Sequence, residues 1–435
     1  MKKLLFLMGM LSLAGVGVAQ VNISPSRENE PFWERIYTLS DTCGINYDIS
    51  ANANGVIFVA TDKGVYKSYD NAEHWEISWQ PSVSWHKCTA MDIAPNGKLC
   101  LGSNCDYLCF SEDDGNTWEN VVVPMSGWMF NRVRFFGNDT IFALPRIGTS
   151  GAYIDYSYDG GRTWNYSVAG DWYLDYPTDI VMTPKQTLFV TLAYYINKEG
   201  RYDAGGLFRS NDHGQHWERV HIPNYPQHYP FYSLLYCDRS SKLIVGSLDG
   251  FEVEEQIPIN QPTETIVQNR DEPEICMMNI WGGSIVEDQL MVLSGGNTLL
   301  SLNGGEDFTA FSGPWGGRRV VCGADGFLYT LQSNTNRNLL KSLYSVDELL
   351  LMLSTSEKIA EQGVSVYPNP TTNTLNIEHY SGHALLNIFS SKGVLLETLS
   401  IGTNSAINVS DYSSGFYYLQ IIEQEKTTIR KIIIL

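Results

Sequence analysis

The residues whose types and neighbours could carry chemistry lie in the connecting stretches of this chain. Asp171 and Asp175 flank Trp172 and Tyr173 in the string GDWYLDYP. Two carboxylates are the apparatus of glycoside hydrolysis, one acting as acid and the other as base or nucleophile, once a fold holds them at the separation the mechanism requires. In a chain this acidic the competing reading of the pair is that of solvated loop acids. Further polar candidates are Arg146, Glu199, Arg201 and Asp203 in longer loops, and Arg318 and Arg319 just after Trp315. Aromatic side chains crowd the same connections: Trp79 and Trp85 in WQPSVSWH, Trp128 in PMSGWMF, Tyr176 beside the acidic pair, Tyr225, Tyr229 and Phe231 in PNYPQHYPFY, and Trp315 in SGPWGGR. Gathered on one rim, such rings stack on sugars or hold peptide side chains; taken singly, each reads first as a ring that plugs the channel or packs in a core. His86, His221 and His228 are scattered, and no GxSxG or HExxH string occurs. No metal or cofactor is expected.

The elements that must position these loops announce themselves by repetition. SYDGGRTW, Ser157 to Trp164, has close copies at Ser111 to Trp118 and Ser210 to Trp217; Ser68 to Trp75 follows with Ala72 in place of Gly, and Ser301 to Phe308 is degenerate. The shared pattern is Ser-x-Asp-x-Gly-x-x-Trp. A short Asp side chain accepts backbone N–H groups across a tight turn, Gly supplies a left-handed backbone position, and the Trp opens a strand with a large apolar face. Asp70, Asp113, Asp159 and Asp212 are 43, 46 and 53 residues apart, and Asn303 follows after 91. A period of this size is that of a four-stranded unit, and the last gap holds two periods, one of them without the motif. Each period contains short alternating stretches bounded by Gly, Asn and Asp, such as INYDIS, GVIFVA, GVYKS and WEISW, which read as antiparallel strands.

These octapeptides resemble the Asp-box (BNR) repeat of sialidase-like and related β-propellers. The resemblance implies an all-β ring of four-stranded blades, with periods beginning near Ile45, Cys88, Phe130, Asp179, Tyr232, Cys276 and Arg319: seven blades, with six as the alternative. The seventh period lacks its closing strand, and FWERIYTLS (Phe32 to Ser40) resembles the strands that follow the motif, so the N-terminal strand is expected to complete the last blade and remove two open sheet edges. In this topology the inter-blade loops and the loops joining second to third strands share one face. The motif Asp residues, on the other face, are then stabilising elements. Two departures count against a sialidase. The nearest string to the family's Phe-Arg-Ile-Pro motif is Pro145-Arg146-Ile147-Gly148, and the sialidase ring has six blades. Seven-bladed relatives include both xyloglucanase-type glycosidases and non-enzymatic photosystem-assembly propellers, so the repeat does not choose between catalysis and binding.

The remaining features bound the setting. Lys2 and Lys3 precede an apolar run from Leu4 to about Val18 and small residues ending at Ala19, the pattern of a secretory signal over residues 1–19. No later stretch is apolar for long enough to form a membrane span. With 48 acidic against 29 basic residues and a net charge of -19, the average field repels nucleic acid. Four of the eight cysteines, Cys88, Cys100, Cys105 and Cys109, cluster in sequence and are either bridged or buried thiols. The propeller is expected over 20–345 and a linker with a short helix over 346–363. Residues 364–435 read as about seven short strands, a small β-sandwich. Tyr367-Pro368-Asn369-Pro370, Leu375, Ile377, Gly393, Asp411, Ser413, Gly415, Tyr417 and Leu419 resemble the C-terminal sorting domain of the type IX (Por) secretion system of Bacteroidetes-type bacteria. That resemblance implies the type IX machinery as a partner and a secreted or outer-membrane surface-attached protein. Its expected ligand is an extracellular glycan or protein, and glycoside hydrolysis is the rival reading.

Overall fold

The computed structural model describes residues 22–24, 31–36, 39, 43–83, 86–104, 107–125, 129–146, 151–170, 175–194, 205–222, 230–247, 264–266, 273–278, 280–286, 289–295, 297–313, 316–332, 338–350, 352–353, 364–369, 371–390, 395–413, 415–423 and 426–434. The chain divides into two compact units, 1–343 and 344–435.

In the first unit the described strands make sheets that follow one another along the chain. Their first strands are Asn46–Ala51, Cys88–Ile93, Met129–Phe136, Asp175–Met182, Phe231–Cys237, Ile280–Val286 and Gly316–Cys322. Each neighbours the next, and the last neighbours the first, the arrangement of a β-propeller. The second strands (Ile57–Thr61, Leu99–Ser103, Thr140–Arg146, Leu188–Tyr194, Lys242–Ser247, Leu290–Gly295, Phe327–Gln332) are nearly continuous apolar runs. Successive side chains of a strand point to opposite faces, and here both faces are covered. Ile57 and Val59 pack on Val321, Tyr329 and Leu331 of the preceding sheet, whereas Phe58 and Ala60 pack on Met91, Leu99 and Leu101 of the following one.

Trp33–Ile36 pairs antiparallel with Leu339–Ser345 as the outer strand of the last sheet, as the N-terminal reading anticipates. Phe32 is fully buried, its ring 4.8 Å from that of Trp33 and 5.2 Å from that of Phe311. Asn22–Ser24 adds a further parallel strand to Asp307–Ser312. One period differs from its expected start. Cys276 lies in Glu274–Met278, which pairs parallel with Lys242–Ser247 inside the fifth sheet, and the sixth sheet begins at Ile280. The apolar alternation of EICMMNIW fits either strand, and only the pairing separates them.

The Ser-x-Asp turns are built alike. Within each, the Ser Oγ accepts the N–H four residues on, at 2.8–2.9 Å, and donates to the Asp Oδ1. That Oδ1 accepts a second N–H four residues on, at 2.8–3.0 Å. The degenerate copy keeps this geometry with Asn303 as acceptor. The fourth residue of each turn has positive φ (Asn71 59°, Asp114 54°, Gly160 73°, His213 61°, Gly304 73°). Its carbonyl, turned outward, accepts a donor from the preceding sheet: Tyr329 Oη at Asn71, Lys67 Nζ at Asp114, Lys98 Nζ at Gly160, Tyr158 Oη at His213 and Ser240 Oγ at Gly304. The turns therefore stitch sheet to sheet, including the last to the first.

The second unit has five described strands, fewer and longer than the short ones expected: Val364–Tyr367, Thr374–Ser390, Leu395–Asn408, Gly415–Glu423 and Lys426–Ile434. Thr374–Ser390 runs through a register shift between Glu378 and His383. Its buried residues change parity there, from Leu375 and Ile377 to Ala384, Leu386 and Ile388, so one face stays covered through the bend. Residues 346–350 are helical, opened by a reciprocal cap in which Ser345 Oγ accepts the Glu348 N–H and the Glu348 carboxylate accepts the Ser345 N–H.

Candidate functional site

The first strands of the ring carry an Asp-Ile step at Asp48-Ile49, Asp92-Ile93 and Asp179-Ile180. Each carboxylate reaches the neighbouring inner strand: Oδ2 of Asp48 accepts the Met91 N–H at 3.1 Å, that of Asp92 the Phe135 N–H at 2.8 Å, and that of Asp179 the Leu234 N–H at 3.1 Å. Arginines from other sheets meet these carboxylates. Arg132, 1 % exposed, places Nε 3.2 Å from Asp179 and Nη1 3.8 Å from Asp48. Arg134 reaches Asp179 at 3.2 Å, and Arg319 reaches Asp92 at 2.9 Å. Burial alone would raise the Asp179 carboxyl, but the Arg132 and Arg134 guanidiniums and the Leu234 N–H outweigh it and hold it down to about 2. Burial would likewise lower Arg319, and the carboxylates of Asp92, Asp48 and Asp179 keep it above its ordinary value. These charges are retained inside the ring because each is paired and hydrogen-bonded.

Above this network lies a cavity of about 340 Å³ lined by Tyr47, Asp48, Thr89, Asn131, Arg132, Arg146, Arg319 and Gln332 among others. It sits where first strands begin and second strands end. The Ser-x-Asp turns follow third strands, which run parallel to the first, so the turns occupy the opposite end of the ring. Their Asp residues are engaged locally. Oδ2 contacts Thr117 Oγ1, Thr163 Oγ1, His74 Nδ1 and His216 Nδ1, each at 2.6 Å. These side-chain contacts and the backbone N–H groups of the same residues bring Asp113 and Asp159 down to about 2; at Asp70 the His74 N–H leads, with the same result. Asp70, Glu73 and His74 also converge closely enough to hold a cation, but the Asp70 oxygens already serve the turn.

The sequence candidates fall out unevenly. Arg146 and Arg319 line the cavity, and the Arg146 guanidinium stacks 4.4 Å from the Tyr176 ring centroid. Trp79 is half-buried against the core between the first two sheets, and Phe231 is buried in the core between the fourth and fifth. Asp175 is 1 % exposed, with Oδ1 accepting the Gly205 N–H at 2.6 Å. Trp85, Trp128, Asp171, Trp172, Tyr173, Glu199, Arg201, Asp203, Tyr225, Tyr229 and Trp315 lie outside the described residues, as does the side chain of Arg318. Cys88, Cys100 and Cys109 are buried, and Cys105 is outside the described residues. Sequence reading passed over Asp48 and Arg132, although the thrice-repeated Asp-Ile step was a visible signal. In the second unit Asn369 Oδ1 accepts the Ile433 N–H at 2.8 Å, Tyr367 bonds Glu378, the Tyr367–Pro368 bond is cis and Gly415 has φ 151°; Pro370 is not among the described residues.

Fold and tail together define a β-propeller that carries an export signal at its C-terminus. Residues 365–435 match the family described as the secretion system C-terminal sorting domain, which indicates export by the type IX system to the cell surface or beyond. No curated protein matches the chain. Among solved structures it is similar to PorZ, described as an essential bacterial surface component of the type-IX secretion system of Porphyromonas gingivalis, at 12% identity and a TM-score of 0.50 over 90% of this chain. The match covers 59% of PorZ, so this chain spans about three fifths of that protein. It is also similar to YCF48 from Cyanidioschyzon merolae, at 11% identity and a TM-score of 0.45 over 72% of this chain and 98% of that one. At these identities the likeness is one of fold. No described helix is long and apolar enough to cross a membrane.

Proposed function

We propose that the protein is a secreted or surface-attached seven-bladed propeller of Asp-box type, exported through its C-terminal β-sandwich, which binds an extracellular glycan or protein without chemistry of its own. The observation that carries this reading is the placement of the cavity: a polar, arginine-lined recess at the end of the ring away from the stitching turns. The first strands that follow Trp85, Trp128, Trp172 and Trp315 along the chain, Cys88–Ile93, Met129–Phe136, Asp175–Met182 and Gly316–Cys322, begin at that end. Loops that vary from repeat to repeat on a rigid ring are where recognition is expected.

The rival reading is a glycoside hydrolase built on Asp171 and Asp175. The burial of Asp175 and its bond to Gly205 favour a positioning role for that carboxylate over acid or nucleophile chemistry. Glycan-array and partner-capture binding, run beside reducing-sugar release from plant and host polysaccharides, tests the two together. Binding with no release, weakened by Trp172→Ala, is the expected result. Sugar release that Asp171→Ala or Asp175→Ala abolishes would overturn it.

A further inference from the structure

We propose that the cavity is an oxyanion site in which the side-on edge of Arg319, its Nε–H and Nη2–H, takes a carboxylate. The inference rests on the reading of this end of the ring as the recognition surface and names the chemistry that the surface selects. Arg319 is 7 % exposed and spends one nitrogen on three partners: Nη1 donates to Ser50 Oγ and to Met91 O at 2.9 Å and stands 2.9 Å from Asp92 Oδ1 in an ion pair. Its other two nitrogens, Nε and Nη2, are buried with no acceptor. Buried donors in folded proteins are nearly always satisfied. The edge left over is the one whose parallel N–H groups match the spacing of two carboxylate oxygens.

Charge points the same way. Asp48, Asp92 and Asp179 balance Arg132, Arg134 and Arg319 within the network, and Arg146 at the cavity wall is a further cation. Among the described lining residues three arginines stand against one carboxylate, Asp48, in a chain of net charge -19, and low-dielectric walls concentrate such a field on an incoming anion. Gln332, whose Oε1 accepts from Asn338 Nδ2, has its amide N–H groups left to meet a hydroxyl or a second oxygen of the ligand. Thr89 is already engaged with the Phe130 backbone and serves as wall.

The test is calorimetric titration of the mature chain with sodium acetate, sodium glucuronate, sodium phosphate and glucose at constant ionic strength. Acetate and glucuronate are expected to bind saturably, one per chain, and glucose not at all. Arg319→Lys keeps the charge but loses the paired donors and should weaken both carboxylates at least tenfold. Arg146→Gln removes a cation of the cavity wall that lies outside the six-charge network, so it reads the contribution of the wall even where the Arg319 variant fails to fold, and should weaken both about threefold. Glucuronate binding tighter than acetate identifies a carboxylate borne on a sugar, and equal affinities identify a simple carboxylate. Absence of saturable carboxylate binding, phosphate binding tighter than either carboxylate, or carboxylate binding unchanged in both variants overturns the proposal. Array ligands that bind Arg319→Lys as well as wild type leave the recognition surface standing and remove the carboxylate from it. Carboxylate binding without any array ligand removes the surface and keeps the site.

Discussion

Asp155 sits on the third strand of the third sheet, fully buried, with Oδ1 accepting the Met125 N–H at 3.0 Å and Oδ2 without a partner. Burial pushes its carboxyl up to about 8 against the opposing effect of that N–H. In the unfolded chain the same group titrates near 3.9. The folded state therefore holds the proton more tightly. Its advantage is complete below pH 4 and is lost as pH rises from about 4 to about 8, at up to about 1.4 kcal/mol per pH unit. Between pH 5 and pH 7 this amounts to at most about 2.7 kcal/mol of stability. Asp155→Asn preserves the oxygen that Met125 needs and removes the titration. The assay is urea unfolding of wild type and variant at pH 5 and pH 7. Subtracting the variant's pH dependence cancels every other titrating group. The expected double difference is 1–3 kcal/mol, wild type losing more than the variant, by the linkage above. A double difference under about 0.5 kcal/mol, or one of opposite sign, would refute the assignment of a buried, proton-holding carboxyl at this position.

Three further outcomes follow from the ring. Ala72 occupies a left-handed position, φ 68°, where the other turns have Gly, and such a backbone costs an L-residue about 1–2 kcal/mol. Ala72→Gly should therefore raise stability by about 0.5–1 kcal/mol after the entropy of Gly is charged, read as a shift in the urea midpoint. Gly115→Ala should do the reverse, because its Cβ would stand 2.3 Å from Ser78 Oγ and 3.2 Å from the Phe58 ring. Truncating Phe32→Ala empties a fully buried site at the ring closure and should cost about 3–5 kcal/mol; a loss under 1 kcal/mol would mean that the N-terminal strand does not hold the last sheet shut.

The turns were legible because their chemistry is local. Every bond among Ser157, Asp159, Gly161 and Thr163 spans four residues or fewer, so residue spacing alone dictates it. What escaped notice was the seventh position of the motif, where Thr117, Thr163, His74 or His216 closes on the second Asp oxygen; the side chains differ in type and agree only in reach. The start of the sixth sheet was misplaced for a related reason. Cys276 and Ile280 lie in equally apolar stretches, and strand pairing, which sequence does not contain, decided between them.

The candidate site was legible only in part. Arg146 and Arg319 stood out as cations among aromatics, whereas Asp48 and Arg132 read as ordinary members of alternating strands. The amino-acid order by itself determined the repeating unit, the turn that ends it and the sorting tail, since each is specified by contacts within a few residues or within one supersecondary unit. Tertiary structure alone decided that Arg319 reaches Ser50, 269 residues away, and Met91, 228 residues away. Those distances collapse only when the last sheet meets the first. A charge network across a closed ring is a property of closure, and no window of sequence contains both of its ends.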